Sequence, residues 1–297
     1  MNDIKTITEF HRLLSLPEPK HPLISVINLK DSVFLDEEIW KGFVNRFYCV
    51  ALKRDVIGKI KYGQQYYDYD KGVLSFTGPN QFQYLDLNTI ECGKGYLLIC
   101  HPDFLIGHSL KSKINQYTFF SYAINEALHL SADEEDNLIT ILKKIDQECI
   151  YIDKHSQEII TSQIELLLNY ANRFYERQFI TRKNHNDQLL VKFESILNTY
   201  FESLDADKEL LTVQAVADQM HLSPNYLSDL LRMHTGQNTQ QHIQEKLIEK
   251  AKEKLATTNL SISEIAYEFG FLYPQSFSTL FKKKTNLSPL EYRQTFN

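Results

Sequence analysis

The chain has 297 residues, 43% hydrophobic and 24% charged, an ordinary balance for a globular protein with enough length for two cored domains. Its formal net charge of -6 argues against nonspecific nucleic-acid binding driven by bulk charge. No run of 18 apolar residues and no basic-then-apolar leader occurs, so no membrane partner and a cytoplasmic location are expected.

In chain order, apolar spacing predicts a first helix over residues 6–16, opened by Thr6 and Glu9 as a capping box and closed ahead of Pro17, Pro19 and Pro22. From residue 23 to about 120 the pattern shifts to period two and short apolar runs. Candidate strands are 24–28, 43–51, 59–62, 65–69, 73–76, 82–87 and 96–100. Turns fall at Tyr62-Gly63, Asp70-Lys71-Gly72, Gly78-Pro79-Asn80 and Gly93-Lys94-Gly95. Many short strands at this spacing predict a barrel or a sandwich. Aromatics crowd the block, Phe43, Phe47, Tyr48, Tyr66, Tyr67, Phe76, Phe82 and Tyr84 among them. They read either as core plus surface tyrosine, or as an apolar pocket with hydroxyls for a small effector. No effector-binding residue can be singled out. Cys49, Cys92, Cys100 and Cys149 are scattered without a Cys-x-x-Cys, which reads as buried free thiols.

Two helices follow. Ser131 with Glu134 caps one running to about residue 148, and the next spans 156–178. The second carries a wide apolar stripe from Ile159 to Tyr175. Such a stripe fits docking on the chain's own barrel and the preceding helix. It equally fits a dimer seam, for which Ile160, Ile164, Leu167, Leu168 and Ala171 are the expected residues. The polar run 181–188 reads as a linker and 189–204 as the first helix of a second domain.

The last third contains one pattern twice. The first copy is Val213, Val216, Ala217, then Pro224, Leu227, Leu230, then Thr235-Gly236. The second is Ile262, Ile265, Ala266, then Pro274, Phe277, Leu280, then Thr285-Asn286. The offset is 49 residues for the first three positions and 50 for the rest, so one residue is inserted at the turn. Each copy is a short helix, a tight turn, and a second helix opened by proline, which is the layout of a helix-turn-helix. Ala217 and Ala266 are small where two helices must cross. Gly270 and His221 stand where the chain needs positive φ. Ser261/Glu264 and Ser288/Glu291 are capping boxes, and Ser223 is placed to cap the first recognition helix. Ser223, Asn225, Ser228, Asp229 and Arg232 then occupy the polar side of that helix. Tyr273, Gln275, Ser276, Thr279, Lys282 and Lys283 occupy it in the second. Between the copies, residues 240–255 read as one helix of roughly 25 Å, which sets the recognition helices about one DNA turn, roughly 34 Å, apart.

The stretch from Leu211 to Phe296 resembles the DNA-binding domain of the AraC family of bacterial transcription regulators. The resemblance rests on Ile265-Ala266, Phe269-Gly270-Phe271, Phe277-Ser278, Phe281-Lys282-Lys283, Leu287-Ser288-Pro289 and Tyr292-Arg293. Thr279, Asp229, Asn286 and Gln237-Asn238-Thr239 depart from the family's pattern and bear on base preference rather than fold. The resemblance implies that the N-terminal block is a cupin-like sensor barrel and that the protein is a homodimer, with RNA polymerase as a further partner. Cupin barrels often hold a metal on closely spaced histidines. His101 and His108 lack a His-x-His or a nearby carboxylate, so neither a metal nor any other cofactor is expected.

The expected fold class is therefore α+β: an N-terminal cupin-like β-barrel with flanking helices, and a C-terminal all-α domain of two helix-turn-helix units joined by a linker helix. The expected domains are 1–180, a linker 181–188, and 189–297. Residues 190–297 hold 11 Lys/Arg against 13 Asp/Glu, so positive charge must be local. Lys282, Lys283 and Lys284 end the second recognition helix, near phosphate. Lys246, Lys250 and Lys254 on the linker helix read as a solvated face beside Glu245, Glu249 and Glu253. The expected function is a sequence-specific transcription regulator that binds double-stranded DNA, has no catalytic role, and responds to a small effector. Two alternatives stand beside it: a cupin-type barrel enzyme carrying a regulatory helical domain, and a regulator with no small-molecule ligand.

Overall fold

The computed structural model describes residues 2–54, 60–62, 65–67, 72–83, 85, 94–123, 126–181, 183–202 and 209–296. The class is α+β, and the chain divides into two units, 1–178 and 179–297. The first unit begins with β1 (Asn2–Ile4), α1 (Ile7–Leu13), β2 (Ile24–Asn28) and α2 (Glu37–Trp40). Strands β3 (Phe43–Asn45), β4 (Tyr48–Lys53), β5 (Ile60–Tyr62), β6 (Gln65–Tyr67), β7 (Val73–Thr77), β8 (Phe82–Gln83) and β9 (Gly95–Cys100) follow. Then come α3 (Leu110–Lys113), β10 (Leu128–His129), α4 (Ala132–Glu148) and α5 (Ser156–Thr181).

Among the described residues the strands form three sheets. One has five strands in the order β10-β7-β4-β9-β2, one is β1-β3-β8, and β5 pairs with β6. Closure into a barrel is not seen among them. The expected single strand over 43–51 is in fact two strands in different sheets. Asn45 is buried, and its side-chain oxygen accepts the Phe47 amide at 3.0 Å, which turns the chain at Arg46. Tyr69, Tyr84 and all of 86–93, Cys92 included, lie outside the described residues, so the expectations there do too. Cys49, Cys100 and Cys149 are buried free thiols, and burial pushes the Cys49 thiol up to about 11.

Alternation on the sheet feeds two cores. On one face Cys49, Ile27 and Ile99 pack with Ile7 and Phe10 of α1, with Leu14 just after it, and with Trp40, Phe43 and Phe47. On the other, Phe76 meets Phe119 at 4.3 Å, Phe120 at 5.5 Å and Tyr175 of α5 at 6.4 Å. Aromatic contacts of this kind carry a large share of core energy. The sharper reading of the aromatics as a pocket lining therefore does not hold for Phe43, Phe47 and Phe76, which are core, while Phe82 lies 63% exposed.

Helix α5 corrects the expected dimer seam. Ile160, Ile164, Leu167, Leu168 and Ala171 are all at most 4% exposed within a single chain. The wide stripe is wide because the protomer's own core covers it. The residues on the opposite side of α5, including Ile159, Ser162 and Leu166, are exposed.

In the second unit α6 (Lys183–Glu202) precedes α7 (Val213–Met220), α8 (Pro224–Thr235), α9 (Thr239–Thr257), α10 (Ile262–Glu268), α11 (Pro274–Thr285) and α12 (Pro289–Gln294). The run 181–188, read as a linker, is helical from Lys183. Its polarity misled because Asn186 is a buried polar residue with partners: its amide donates to the Phe179 carbonyl and lies 3.2 Å from His234 Nε2. A single core joins the helices: Phe193, Leu197 and Phe201 of α6, Leu227 and Leu231 of α8, Ile243, Leu247, Ala251 and Leu255 of α9, and Phe277 and Phe281 of α11.

Candidate nucleic-acid interface

The doubled pattern folds as two closely matching units. In the first, the Thr212 hydroxyl caps α7 by accepting the Ala215 amide, and His221 takes φ 58° at its end. In the second, Ser261 and Glu264 form the reciprocal capping box of α10, and Gly270 takes φ 80°. The turns close on the same bond. The Leu222 amide donates to Ala217 and the Phe271 amide to Ala266, each at 3.0 Å. Ala217 and Ala266 are fully buried at the crossing, where a larger side chain would force the helices apart. At the far ends, Gly236 (φ 79°) and Asn286 (φ 64°) stop α8 and α11 in the left-handed region. Thr235 and Thr285 repeat one another there: each hydroxyl donates to the carbonyl four residues back at 2.8 Å, and accepts the amide two residues on.

The inserted residue lies in the second turn. Where the first unit has Ser223 alone before Pro224, the second has Leu272 and Tyr273 before Pro274. Ser223 caps α8 by accepting the Tyr226 amide, whereas Tyr273 makes no side-chain cap. Leu272 is 84% exposed and Tyr273 68%. Sequence reasoning named Tyr273 and missed Leu272, although the change of offset from 49 to 50 marked the spot.

The outward residues differ between the units. On α11, Gln275, Ser276, Thr279, Lys282, Lys283 and Lys284 are all exposed. The Thr279 hydroxyl is turned back onto the Gln275 carbonyl at 2.8 Å. On α8, Asn225 and Arg232 are exposed, but Arg232 is paired with Asp229 at 2.6 Å. Ser228 is half-buried, and its hydroxyl lies 3.0 Å from that of Thr239 at the start of α9. Ser223 is spent on its cap. Of the five residues expected on the polar side of α8, Asn225 and Arg232 therefore project fully, because the N-terminus of α9 takes Ser228 and the helix's own needs take Ser223.

Charge follows the same division. The three lysines at the end of α11 face the partial negative charge of that helix C-terminus and carry no ion pair to a described acid. The linker lysines are engaged: Lys246 with Glu249 at 3.2 Å, Lys250 with Glu253 at 2.9 Å, and Lys254 with Glu268 at 2.5 Å. They are half-buried and neutralised, two by acids of α9 and Lys254 by an acid of α10. The Glu264 and Glu291 carboxyls are held below the usual carboxylate range by hydrogen bonds from the backbone and side chains of Ser261 and Ser288, so both boxes are ionised at neutral pH. Among the described residues no group of three or more His, Cys, Asp and Glu side chains could hold a metal ion, and no helix is long and apolar enough to cross a membrane.

Two helix-turn-helix units on a shared core, each presenting a recognition helix, define a DNA-binding domain. Residues 216–295 match the family described as "Helix-turn-helix domain". The HTH-type transcriptional activator RhaS of Salmonella paratyphi B is 31% identical over 139 residues, 47% of this chain and 46% of that protein. The chain thus spans about half the length of the curated relatives it matches. Among solved structures, the C-terminal domain of the two-component response regulator yesN from Fusobacterium nucleatum is 36% identical. It covers 34% of this chain and 95% of its own, with a TM-score of 0.30. The DNA-binding domain of AdpA, a global transcriptional factor solved with a target DNA, is 23% identical over 35% of this chain and 91% of its own, with a TM-score of 0.31. Residues 216–295 of this chain are a helix-turn-helix domain.

Proposed function

We propose that the whole chain is a sequence-specific, DNA-binding transcription regulator whose N-terminal unit is a cupin-like sensor and dimerisation domain with no catalytic role. The observation that carries this reading is the doubled unit, with Gln275, Ser276 and the lysine run of α11 projecting beside Asn225 and Arg232 of α8. Polar side chains early in a recognition helix read base edges, while lysines at its end meet phosphates. Exposed Leu272 and Tyr273 sit at the opening of α11, where an apolar side chain can rest on a thymine methyl. Selecting DNA from a random pool with the full chain should enrich a motif of two half-sites about 10 bp apart. Failure to enrich any motif would sink the reading. A single half-site would show that only one unit reads bases.

A homodimer remains part of the proposal, on a different surface from the buried stripe. Ile159, Ser162, Leu166, Asn169 and Arg173 are exposed and recur every three or four residues along the outer side of α5, the spacing of a helix-pairing seam. A Leu166→Glu chain should sediment as a folded monomer. An unchanged dimer would reject this seam. RNA polymerase is the further partner that a promoter-bound regulator would meet. The DNA-binding module is proposed to begin near Phe179 rather than Leu189, because Phe179 packs edge-on against Tyr226 of α8 at 5.2 Å.

A further inference from the structure

The turns of the two helix-turn-helix units diverge at one point, and the divergence leaves a leucine outside the core. In both units the residue after the left-handed position turns inward. Its amide donates to the crossing alanine at 3.0 Å, Leu222 to Ala217 and Phe271 to Ala266. Leu222 packs against the domain core, and Phe271 joins it with its ring 5.6 Å from that of Phe277. In the first unit Ser223 follows at once and caps α8. In the second, Leu272 and Tyr273 both precede Pro274, and α11 opens without a side-chain cap. The inward place is already filled by Phe271, so Leu272 is left 84% exposed.

The backbone that carries Leu272 is fixed on both sides. Phe271 anchors it just before, and Pro274 starts α11 two residues after. A side chain presented from such a short, pinned segment loses little freedom when it is covered. Its surroundings are polar and basic: Gln275 and Ser276 follow it outward, and Lys282, Lys283 and Lys284 end the same helix. That composition complements a polyanion with polar base edges, whereas the core of a protein interface is depleted of lysine. A duplex presents one apolar feature in its major groove, the 5-methyl group of thymine. 5-Methylcytosine carries the same group at the same place on its ring.

We propose that Leu272 is a specificity-determining residue that reads the 5-methyl group of one pyrimidine in the half-site of the second unit. The inference deepens the reading of the chain as a DNA-binding regulator and rests on it. It assigns the methyl to Leu272 rather than to Tyr273, whose phenol hydroxyl suits a phosphate oxygen. It also makes affinity depend on cytosine methylation wherever cytosine occupies that position. The test uses the full chain and its selected site, with each thymine replaced singly by deoxyuridine. That replacement removes the methyl and leaves every hydrogen-bonding group of the base in place.

One such replacement should weaken wild-type binding about fourfold, the worth of one buried methyl. Leu272→Ser should bind the unmodified site more weakly by a similar factor and be indifferent to that replacement. Its thermal midpoint should stay near that of the wild type, because the side chain is exposed. Leu272→Met should keep the response. At the same step, 5-methylcytosine against cytosine, each paired with guanine, asks which base supplies the methyl. A gain supports recognition of the group on either base, and no gain supports thymine alone. The proposal is overturned if the wild type tolerates every deoxyuridine, if Leu272→Ser responds as the wild type does, or if Tyr273→Ala erases the response and Leu272→Ser does not. A selection that enriches no motif sinks the regulator reading, whereas an enriched motif with no methyl effect sinks this proposal alone.

Discussion

The two helix-turn-helix units share a backbone and differ in what they expose. Both use a buried alanine at the crossing, a left-handed residue after the first helix, and a threonine tied to its own helix at the end. The first unit spends its polar residues internally: Ser223 on a cap, Ser228 against Thr239, Asp229 on Arg232. The second leaves Gln275, Ser276 and three lysines outward and adds two exposed apolar residues at the turn. Repetition of a fold motif thus fixes geometry without fixing role. We propose that the second unit reads bases while the first holds the domain in place.

The strongest way to break that comparison is through the core the two units share. Phe277 is fully buried and touches Phe269, Phe271 and Phe281, with ring centroids 5.6–6.2 Å away. Phe277→Ala should cost about 3–5 kcal/mol, measured by urea denaturation of the chain. Because α6, α8, α9 and α11 lie in one cluster, hydrogen exchange should show α8 losing protection together with α11. Protection kept in α8 while α11 exchanges freely would mean that the units are energetically independent, and the division of labour would need no common scaffold.

The next effect is on reading. Gln275→Ala should cost about 1–3 kcal/mol on the selected site and relax preference at one base pair. Asn225→Ala, at the equivalent place on α8, should cost less, since its helix presents fewer free groups around it. Titrations on matched and singly mismatched DNA decide this. An equal loss from both substitutions would make the units equivalent readers, and a uniform loss across all sequences from Gln275→Ala would place that residue on the backbone.

Much of this was legible in the sequence where local chemistry dictates structure. Capping residues, proline at the first helical turn and the residues at positive φ located α7 through α12 to within a residue or two, and Ile24–Asn28 is a strand over the very residues expected. Periodicity was silent on what covers an apolar stripe, so Leu167 and Leu168 were read as a seam when α5 buries them at home. It was also silent on polar residues with buried partners. Asn186 looked like linker and Ser228 like a base reader because hydrogen-bond partners distant in sequence, Phe179, His234 and Thr239, cannot be seen in a local window. The strand over 43–51 broke for the same reason, at the buried Asn45 side chain.

The smallest effects concern charge, and there the two units should respond with opposite sign. Lys283 is exposed at the end of α11 with no pairing to a described acid. Lys283→Ala should weaken binding to all sequences alike and flatten the dependence of log affinity on log salt by about one ion. Arg232 is held by Asp229 at 2.6 Å, an ion pair whose contribution to folding should be small because the guanidinium is largely exposed. Asp229→Asn should therefore leave the thermal midpoint nearly unchanged. It should also free one cation beside the duplex and remove one repelling charge, so the salt dependence should steepen by about one ion and low-salt affinity should rise. The measurement is a series of titrations of wild type and both variants at several salt concentrations. Should Asp229→Asn flatten the slope, the carboxylate was orienting Arg232 onto a phosphate, and the first unit would be a reader held in readiness. Should neither slope move, the polar sides of both recognition helices face away from the duplex.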